Sequence, residues 1–264
     1  MPTATANGVT LNYRLDGPQD GPVVMLANSL ASNLGMWEPQ VPALSAAGFR
    51  VLRYDKRGHG GSAVPPGPYT MEQLAADAVG LLDALGIARA HFCGLSIGGM
   101  IGQQLGARFG DRFASLTLCD TAAYMAAKDA WDARFAAVRG GGMAAVVDAT
   151  LDRWFTKSGQ QRLPQAIQAV RGMILGTPVE GFCGCGAAIQ AMDNRPLLGA
   201  IRKPTLVIVG REDQGTPVEA NQYLHEHIPG SALAILDDAA HLCNLEQPEA
   251  FNAALLGHLE RHGE

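Results

Sequence analysis

One stretch decides the fold: Ala90-His91-Phe92-Cys93-Gly94-Leu95-Ser96-Ile97-Gly98-Gly99-Met100, an apolar run that meets a Gly-x-Ser-x-Gly pattern. Because Gly94 and Gly98 carry no Cβ, a strand and a helix can approach closely enough to hold Ser96 on a sharp turn between them. Such a turn exposes the serine hydroxyl at the carboxyl end of a sheet and places the Ile97 amide at the positive end of a helix. The stretch therefore predicts a nucleophilic serine, with Ile97 as one donor of an oxyanion hole. In a chain with 32 glycines the pattern can also be an ordinary turn, so the flanking sequence has to decide.

Strand-like and helix-like segments alternate on both sides of this turn. Four further apolar runs are typical of buried strands: 22–27, 49–54, 113–118 and 204–210. Right-handed crossovers between them give an α/β fold with a mainly parallel central sheet and helices on both faces. After residue 120 the chain becomes helical and rich in alanine, methionine and aromatic residues. We therefore predict a core of residues 1–120 and 197–264 and an inserted helical cap, or lid, of residues 121–196.

A nucleophilic serine needs a base and an acid that orients the base, and in this architecture the chain order is serine, acid, histidine. Residues 231–236 are the last predicted strand, and His241 follows it; Asp213 follows the strand at 204–210. Both are expected at the same edge of the sheet as Ser96, which gives a catalytic triad. Glu212 and Asp120 remain alternative acids, because each also follows a predicted strand. We prefer Asp213, since a strand, Gly-x-x-Asp and a Thr-Pro helix start together fix its carboxylate at this edge.

The loop Asn28-Ser29-Leu30-Ala31-Ser32-Asn33 follows another central strand and lies at the same edge. We expect the Leu30 amide to be the second oxyanion donor. The Ser29 hydroxyl is either an ordinary turn group or a hydrogen-bonding group of the substrate site. The glycine-rich loop that contains Asp55 and Arg57 is typical of a structural turn with an internal ion pair, and we expect no catalytic role for it.

Composition excludes several classes of function. A net charge of −5, a pI near 5.8 and no basic cluster argue against nucleic acid as a partner. The N-terminal residues lack a signal-peptide pattern and no apolar run has membrane-spanning length, so we expect a cytoplasmic protein without a membrane partner.

Five cysteines, mostly inside apolar runs, suit a reducing compartment. Cys183-Gly184-Cys185 has no second ligand pair and nucleotide motifs are absent, so no metal or cofactor is expected. The expected partner is a small-molecule substrate, and the oligomeric state stays open.

With these residues in place, the chain resembles the α/β-hydrolase superfamily and, within it, the 3-oxoadipate enol-lactonases (β-ketoadipate enol-lactone hydrolases). The more specific signals are Asn28-Ser29-Leu30, where most relatives carry His-Gly, and the cap residues around Trp154 and Ala188. The chain departs from the pattern at Ala240-His241-Leu242-Cys243-Asn244, where Gly-His, an apolar residue, proline and cysteine are expected. The resemblance implies hydrolysis of 3-oxoadipate enol-lactone to 3-oxoadipate in the β-ketoadipate route of aromatic degradation.

Other functions share these residues. A general carboxylesterase or a C–C bond hydrolase of aromatic degradation would show the same triad, because the triad does not define the acyl group. A slow-turnover ligand receptor can keep both fold and triad. Serine rather than aspartate at position 96 argues against a dehalogenase or an epoxide hydrolase.

The charge of the cap indicates an anionic substrate. Residues 121–196 contain eight basic and six acidic residues, a net charge of +2, whereas the rest of the chain carries −7. A substrate carboxylate is held best by the two-pronged guanidinium of an arginine. Arg134, three residues after Trp131 on the same helical face, is our candidate, with Trp131 and Trp154 as walls around the lactone ring. The alternative is that Arg134 is one of many solvated arginines on a lid helix.

Overall fold

The computed structural model describes residues 2–126 and 128–262, and the chain in them is built around a sheet of eight strands. The strands are β1 (Thr3–Ala6), β2 (Val9–Asp16), β3 (Val23–Ala27), β4 (Arg50–Tyr54), β5 (Ala90–Leu95), β6 (Phe113–Cys119), β7 (Thr205–Gly210) and β8 (Ala232–Leu236). Their order across the sheet is β1-β2-β4-β3-β5-β6-β7-β8. The strands from β3 to β8 pair in parallel, and β1 and β2 are antiparallel at one edge. The predicted α/β fold with a mainly parallel sheet is confirmed.

Helices pack on both faces of this sheet. In the described residues they are α1 (Val41–Ala46), α2 (Met71–Ala84), α3 (Ile97–Arg108), α4 (Lys128–Gly141), α5 (Val147–Trp154), α6 (Lys157–Arg162), α7 (Pro164–Leu175), α8 (Val179–Ala191), α9 (Val218–His227), α10 (Cys243–Glu246) and α11 (Pro248–Arg261). Helices α2 and α3 pack against each other, and α3 lies on β5 and β6. Helices α1 and α11 also pack against each other, with α11 on β7 and β8. Because both faces are covered, β5 and β7 are buried along their whole length, which explains their continuous apolar sequences.

The sharp turn after β5 requires its two flanking glycines. Helix α3 begins at Ile97, directly after Ser96. A Cβ on Gly94 would overlap the carbonyl group of Gly98, and a Cβ on Gly98 would overlap the carbonyl of Ala27 in β3. Strand, turn and helix can therefore come together only because both positions lack a side chain.

Between β6 and β7 the chain leaves the sheet and forms helices α4 to α8. The two ends of this helical segment meet: Tyr124 forms an antiparallel bridge with Asp193, and the Asn194 amide donates a hydrogen bond to the Ala123 carbonyl at 2.8 Å. These helices lie within residues 121–196, the stretch for which the sequence predicts a cap.

No single helix in the described part of the chain is long and apolar enough to cross a membrane. Helices α7 and α8 meet that criterion only when taken together, and the chain bends by 94° between them.

The predicted ion pair within the glycine-rich loop after β4 is wrong. Arg57 instead pairs with Asp77 of α2, through two hydrogen bonds of 2.5 Å. Asp55 accepts hydrogen bonds from the Asn12 side chain at 2.7 Å and from the Leu34 amide at 2.7 Å. Asp55 also accepts a hydrogen bond of 2.9 Å from the Gly61 amide within the loop. The ion-pair partner of Arg57 thus lies outside the loop, because α2 packs against it.

Candidate active site

Ser96 occupies a strained backbone conformation at the carboxyl end of β5. Its φ of 59° and ψ of −117° lie in a region that residues with a Cβ rarely adopt. Its amide donates to the Cys119 carbonyl at 2.9 Å, and its carbonyl accepts from the Thr121 hydroxyl at 2.8 Å. The end of β6 therefore holds the turn in place. Ser96 is 8% exposed and lines a cavity at this edge of the sheet.

Asp213 and His241 follow β7 and β8 at the same edge. Their side chains are joined by a hydrogen bond of 2.8 Å between His241 Nδ1 and Asp213 Oδ2, which leaves Nε2 of the imidazole to accept a proton. Asp213 also accepts hydrogen bonds from the Gly215 amide at 2.8 Å, the Thr216 amide at 3.1 Å and the Thr216 hydroxyl at 2.7 Å. The imidazole ring lies beside the ring of Trp154, with 5.8 Å between centroids. Both the orientation and the tautomer of His241 are thereby fixed.

The two groups shift each other's pKa. Burial alone would lower the pKa of His241, but the negative charge and hydrogen bond of Asp213 outweigh burial and raise it above the ordinary value near 6.5. Burial would raise the pKa of Asp213, but the charge and hydrogen bond of His241, with those of Thr216, hold it below its ordinary range. An ionised carboxylate beside a strengthened imidazole base is the arrangement required for general base catalysis.

The two alternative acids occupy different environments. Glu212 is exposed, next to Asp213 in the same loop. Asp120 is fully buried after β6, and its Oδ1 accepts a hydrogen bond of 2.8 Å from the Gly210 amide. Burial, reinforced by the charge of Asp213, raises the pKa of Asp120 well above its ordinary value and so favours its uncharged form. In the described part of the chain, neither residue has a hydrogen bond to His241.

The predicted oxyanion donors are Leu30 and Ile97. Leu30, in the loop after β3, lines the cavity, and Ile97 is the first residue of α3. Within residues 2–126 and 128–262, neither of their amides donates to a protein acceptor. The Ser29 side-chain oxygen is buried without a hydrogen-bond partner among these residues, and Ser29 also lines the cavity. Two amides and one hydroxyl are thus available around Ser96.

The cavity lies between the core and the helical segment. Its lining residues are Ser29, Leu30, Ser96, Met100, Met125, Trp131, Arg134, Arg153, Trp154, Ile189, Gly215, Thr216 and His241. All the predicted site residues line it except Asp213, which is bonded to His241, and Ile97, which follows Ser96 in the chain. The structure therefore brings the residues predicted from six separate loops and helices to one place.

Two arginines give this cavity a positive charge. The guanidinium of Arg134 stacks 4.5 Å from the centroid of the Trp131 ring and 5.5 Å from that of Phe182, and its buried Nε has no partner among the described residues. Burial, with a smaller contribution from the charge of Arg153, lowers the pKa of Arg134 to about 10, so it remains charged at neutral pH. In the described part of the chain, no carboxylate forms an ion pair with either arginine. Both cations are therefore available to an anion in the cavity.

Arg153 is a site residue that the sequence interpretation missed. It directly precedes Trp154, which was predicted as a wall of the site, and this adjacency is the one sequence signal that could have indicated it. The other lining residues that were missed are Met100, Met125, Ile189, Gly215 and Thr216. Their positions depend on how loops and helices pack around the cavity, which no local sequence pattern gives.

Comparison with known proteins gives consistent results. Residues 22–163 match the model of a family described as having the alpha/beta hydrolase fold. The chain is 40% identical to 3-oxoadipate enol-lactonase 2 of Acinetobacter baylyi, over 98% of this chain and 96% of that protein. The crystal structure of the enol-lactonase from Burkholderia xenovorans superposes with a TM-score of 0.96 at 44% identity, covering 98% of this chain and all of that one. A hydrolase of Pseudomonas aeruginosa gives a TM-score of 0.93 at 42% identity, covering 98% of this chain and 97% of that one.

The fold and these matches define the class: the chain is an α/β hydrolase. Within that class it belongs to the family of the 3-oxoadipate enol-lactonases, to which it is similar over nearly its whole length.

Proposed function

We propose that the protein hydrolyses 3-oxoadipate enol-lactone to 3-oxoadipate, through a triad of Ser96, His241 and Asp213 and a covalent acyl-enzyme. Its family relationship makes it a lactone or ester hydrolase. One observation carries the narrower proposal. Ser96 and His241 share their cavity with two arginines, Arg134 and Arg153, that have no carboxylate partner in the described residues. A serine esterase site with unpaired cations is suited to a substrate that carries both an ester and a carboxylate.

The first half of the reaction forms the acyl-enzyme. His241 Nε2 takes the proton of the Ser96 hydroxyl as its oxygen bonds to the lactone carbonyl carbon. The carbonyl oxygen becomes an oxyanion, which accepts hydrogen bonds from the Leu30 and Ile97 amides, each contributing about 3 to 4 kcal/mol. The tetrahedral intermediate then expels the ring oxygen, and His241 returns the proton to it. The ring opens, and the enol that is released stays attached to the acyl group.

The second half releases the product. His241 takes a proton from water, whose oxygen bonds to the acyl carbon, and the same two amides hold the second oxyanion. Collapse of this intermediate expels the Ser96 oxygen, which recovers its proton from His241. Asp213 stays ionised throughout and stabilises the imidazolium in both halves, consistent with its lowered pKa.

We assign substrate recognition to the helical segment between β6 and β7. We assign Arg134 to the substrate carboxylate and the Trp131 and Trp154 rings to the walls around the lactone. Stacking on Trp131 orients the guanidinium plane, so little side-chain freedom is lost when an anion binds. Ser29, whose hydroxyl is buried and unpartnered in the described structure, is assigned a hydrogen bond to the bound ester group.

We take residues 121–196 to be a cap inserted into the core of residues 1–120 and 197–264. The meeting of the two ends of this segment at Tyr124 and Asp193 supports this division. Its net charge of +2 above a core of −7 supports a role in attracting an anionic substrate.

The proposal is tested by assaying the purified protein with 3-oxoadipate enol-lactone and, in parallel, with a neutral activated aryl acetate. We expect multiple turnover of both and a higher kcat/KM for the lactone. A fluorophosphonate probe should label the wild type and leave folded Ser96→Ala unlabelled, which ties the activity to this serine.

Other outcomes would favour the alternative functions. Turnover of the aryl acetate without hydrolysis of the lactone would indicate a general carboxylesterase. Cleavage of a ring-fission diketone would indicate a C–C bond hydrolase. A single stoichiometric burst with either ester would indicate a slow-turnover ligand receptor.

A further inference from the structure

Lys56 is a buried cation that the reaction scheme above does not use. It lies in the loop after β4 and is only 2% exposed. Its Nζ donates a hydrogen bond of 2.7 Å to the backbone carbonyl oxygen of Ser29. Among the described residues, Lys56 takes part in no ion pair within 4.0 Å. Removing an ammonium group from water costs several kcal/mol, so its position beside one particular carbonyl calls for a physical reason.

The Ser29 carbonyl belongs to the same peptide group as the Leu30 amide. This peptide is trans, so its C=O and N–H point in opposite directions. A positive charge on the oxygen draws electron density along the conjugated O–C–N unit and makes the N–H a stronger donor. Lys56 is thus at one end of a peptide group, and the amide assigned to the oxyanion is at the other.

The loop is already held in place by neutral or anionic partners. The Ala31 amide donates to His59 Nε2 at 3.0 Å, and the Leu34 amide donates to Asp55 at 2.7 Å. The Ser29 carbonyl also accepts a hydrogen bond from the Ser32 hydroxyl at 2.8 Å. What Lys56 adds to this network is its charge.

We propose that Lys56 is a positioning residue of the oxyanion hole, which strengthens the Leu30 amide as a donor by holding a positive charge on the carbonyl of the same peptide group. The inference rests on the proposed assignment of that amide to the oxyanion.

The surroundings of Lys56 determine when it is charged. Burial lowers the pKa of Lys56 to about 8, although the charge of the Asp55 carboxylate opposes this shift. Burial also raises the pKa of Cys185 to about 12 and holds that of His59 well below its ordinary value, so both neighbours are neutral near pH 7. The other charged groups of this region are Arg57 and Asp77, which pair with each other. Lys56 is therefore charged below about pH 8, and its contribution to oxyanion binding is lost as the pH rises through that value.

The test replaces Lys56 with Met, which keeps the length of the stem, and with Gln, which keeps a hydrogen-bond donor but no charge. Lys203→Met is the matched control, because Lys203 lies near the opposite end of β7 and pairs with Asp111 at 3.7 Å. Turnover of an activated aryl acetate is measured from pH 5 to 9.5, with the uncatalysed rate subtracted. Binding of a boronic acid, which forms a tetrahedral anion on Ser96, is compared with binding of 3-oxoadipate.

We expect Lys56→Met to lower kcat about 10- to 100-fold with little change in KM, below the 100- to 1000-fold loss typical of deleting a donor outright. Boronic acid binding should weaken in step with kcat, while binding of 3-oxoadipate stays constant. Lys56→Gln should resemble Lys56→Met rather than the wild type. The fall of kcat above about pH 8 should be present in the wild type and the control and absent from both variants.

The inference is overturned if a folded Lys56→Met keeps kcat within twofold of the wild type, or if only KM changes. If neither variant folds, the wild-type profile decides, since a kcat that stays level up to pH 9.5 also overturns it. An aryl acetate reports on Ser96 chemistry whatever the natural substrate is. A failed lactone assay would therefore contradict the proposed function and leave the test of Lys56 intact.

Discussion

Replacing Arg134 with methionine should separate recognition of the substrate carboxylate, which we propose for this residue, from the chemistry at Ser96. Methionine keeps an unbranched stem against the Trp131 ring, where the guanidinium now stacks at 4.5 Å, and removes the charge. A hydrogen bond to a charged group contributes about 1.5 to 3 kcal/mol, which corresponds to a roughly 10- to 150-fold loss in kcat/KM for the anionic lactone. For a neutral aryl acetate we expect kcat/KM within twofold of the wild type, because that substrate offers no carboxylate.

The assay measures kcat/KM for both substrates on the wild type, Arg134→Met and the control variant Arg171→Met. Arg171 lies in the same helical segment and forms a surface ion pair of 2.7 Å with Asp148, so its loss should change neither activity. The thermal unfolding temperature of Arg134→Met should equal or exceed that of the wild type, because folding of the variant no longer removes an unpaired cation from water.

Equal losses on both substrates would mean that Arg134 maintains the shape of the site rather than binding the carboxylate. No loss on either would remove it from the site altogether. In that case Arg153→Met is the next variant, since Arg153 is the other unpaired arginine of the cavity in the described structure.

Three further predictions concern the triad. Ser96→Ala should lose about a million-fold in turnover while keeping the wild-type circular dichroism, and a folded variant with substantial activity would refute its role as the nucleophile. Asp213→Asn should lose about ten-thousand-fold in turnover, whereas Asp120→Asn should keep most of its activity because Asp213, and not Asp120, is hydrogen-bonded to His241 in the described residues. Kinetics of the two variants measured side by side identify the acid. In pH-rate profiles, kcat/KM should fall at low pH as His241 becomes protonated, with an apparent pKa above 6.5. In Asp213→Asn this apparent pKa should be lower, and an unchanged value would show that Asp213 is not the partner of His241.

The fold and much of the cavity lining were predictable because both depend on local sequence signals. The glycines around Ser96 fix the turn, and short apolar runs mark the parallel strands. In a parallel sheet the residues that follow successive strands meet at one edge. This rule predicts that His241 and Asp213 lie near Ser96, although they are far apart in the chain. In the structure, His241 lines the cavity of Ser96 and Asp213 is hydrogen-bonded to His241.

The sequence could not show which buried charges remain unpaired. Arg57 and Asp55 are neighbours in the chain, yet each finds its partners elsewhere, because the packing of α2 and of the loop after β3 determines them. Lys56 between them meets the Ser29 carbonyl, 27 positions earlier in the chain. Periodicity and propensity predict elements, but a contact between two loops depends on their final positions in the fold, and no local pattern encodes it.

Two cations near the site lack an anionic partner in the described residues, and in the proposed reaction the substrate supplies that partner. Arg134, whose Nε is buried, and Lys56, which is 2% exposed, are cations without carboxylate partners in the described residues. In the proposed reaction, the substrate carboxylate and the oxyanion are the negative charges that bring these cations a partner, directly at Arg134 and through a peptide group at Lys56. Because the cations are already in place before substrate binds, no reorganisation of the protein is needed when negative charge develops. Because a buried cation without a partner costs free energy, the native state is expected to be less stable than it would be with apolar residues in place of Arg134 and Lys56. Arg134→Met and Lys56→Met, which are expected to slow the reaction, should therefore leave the free energy of unfolding unchanged or raise it. This pattern distinguishes a charge kept for function from one kept for the fold.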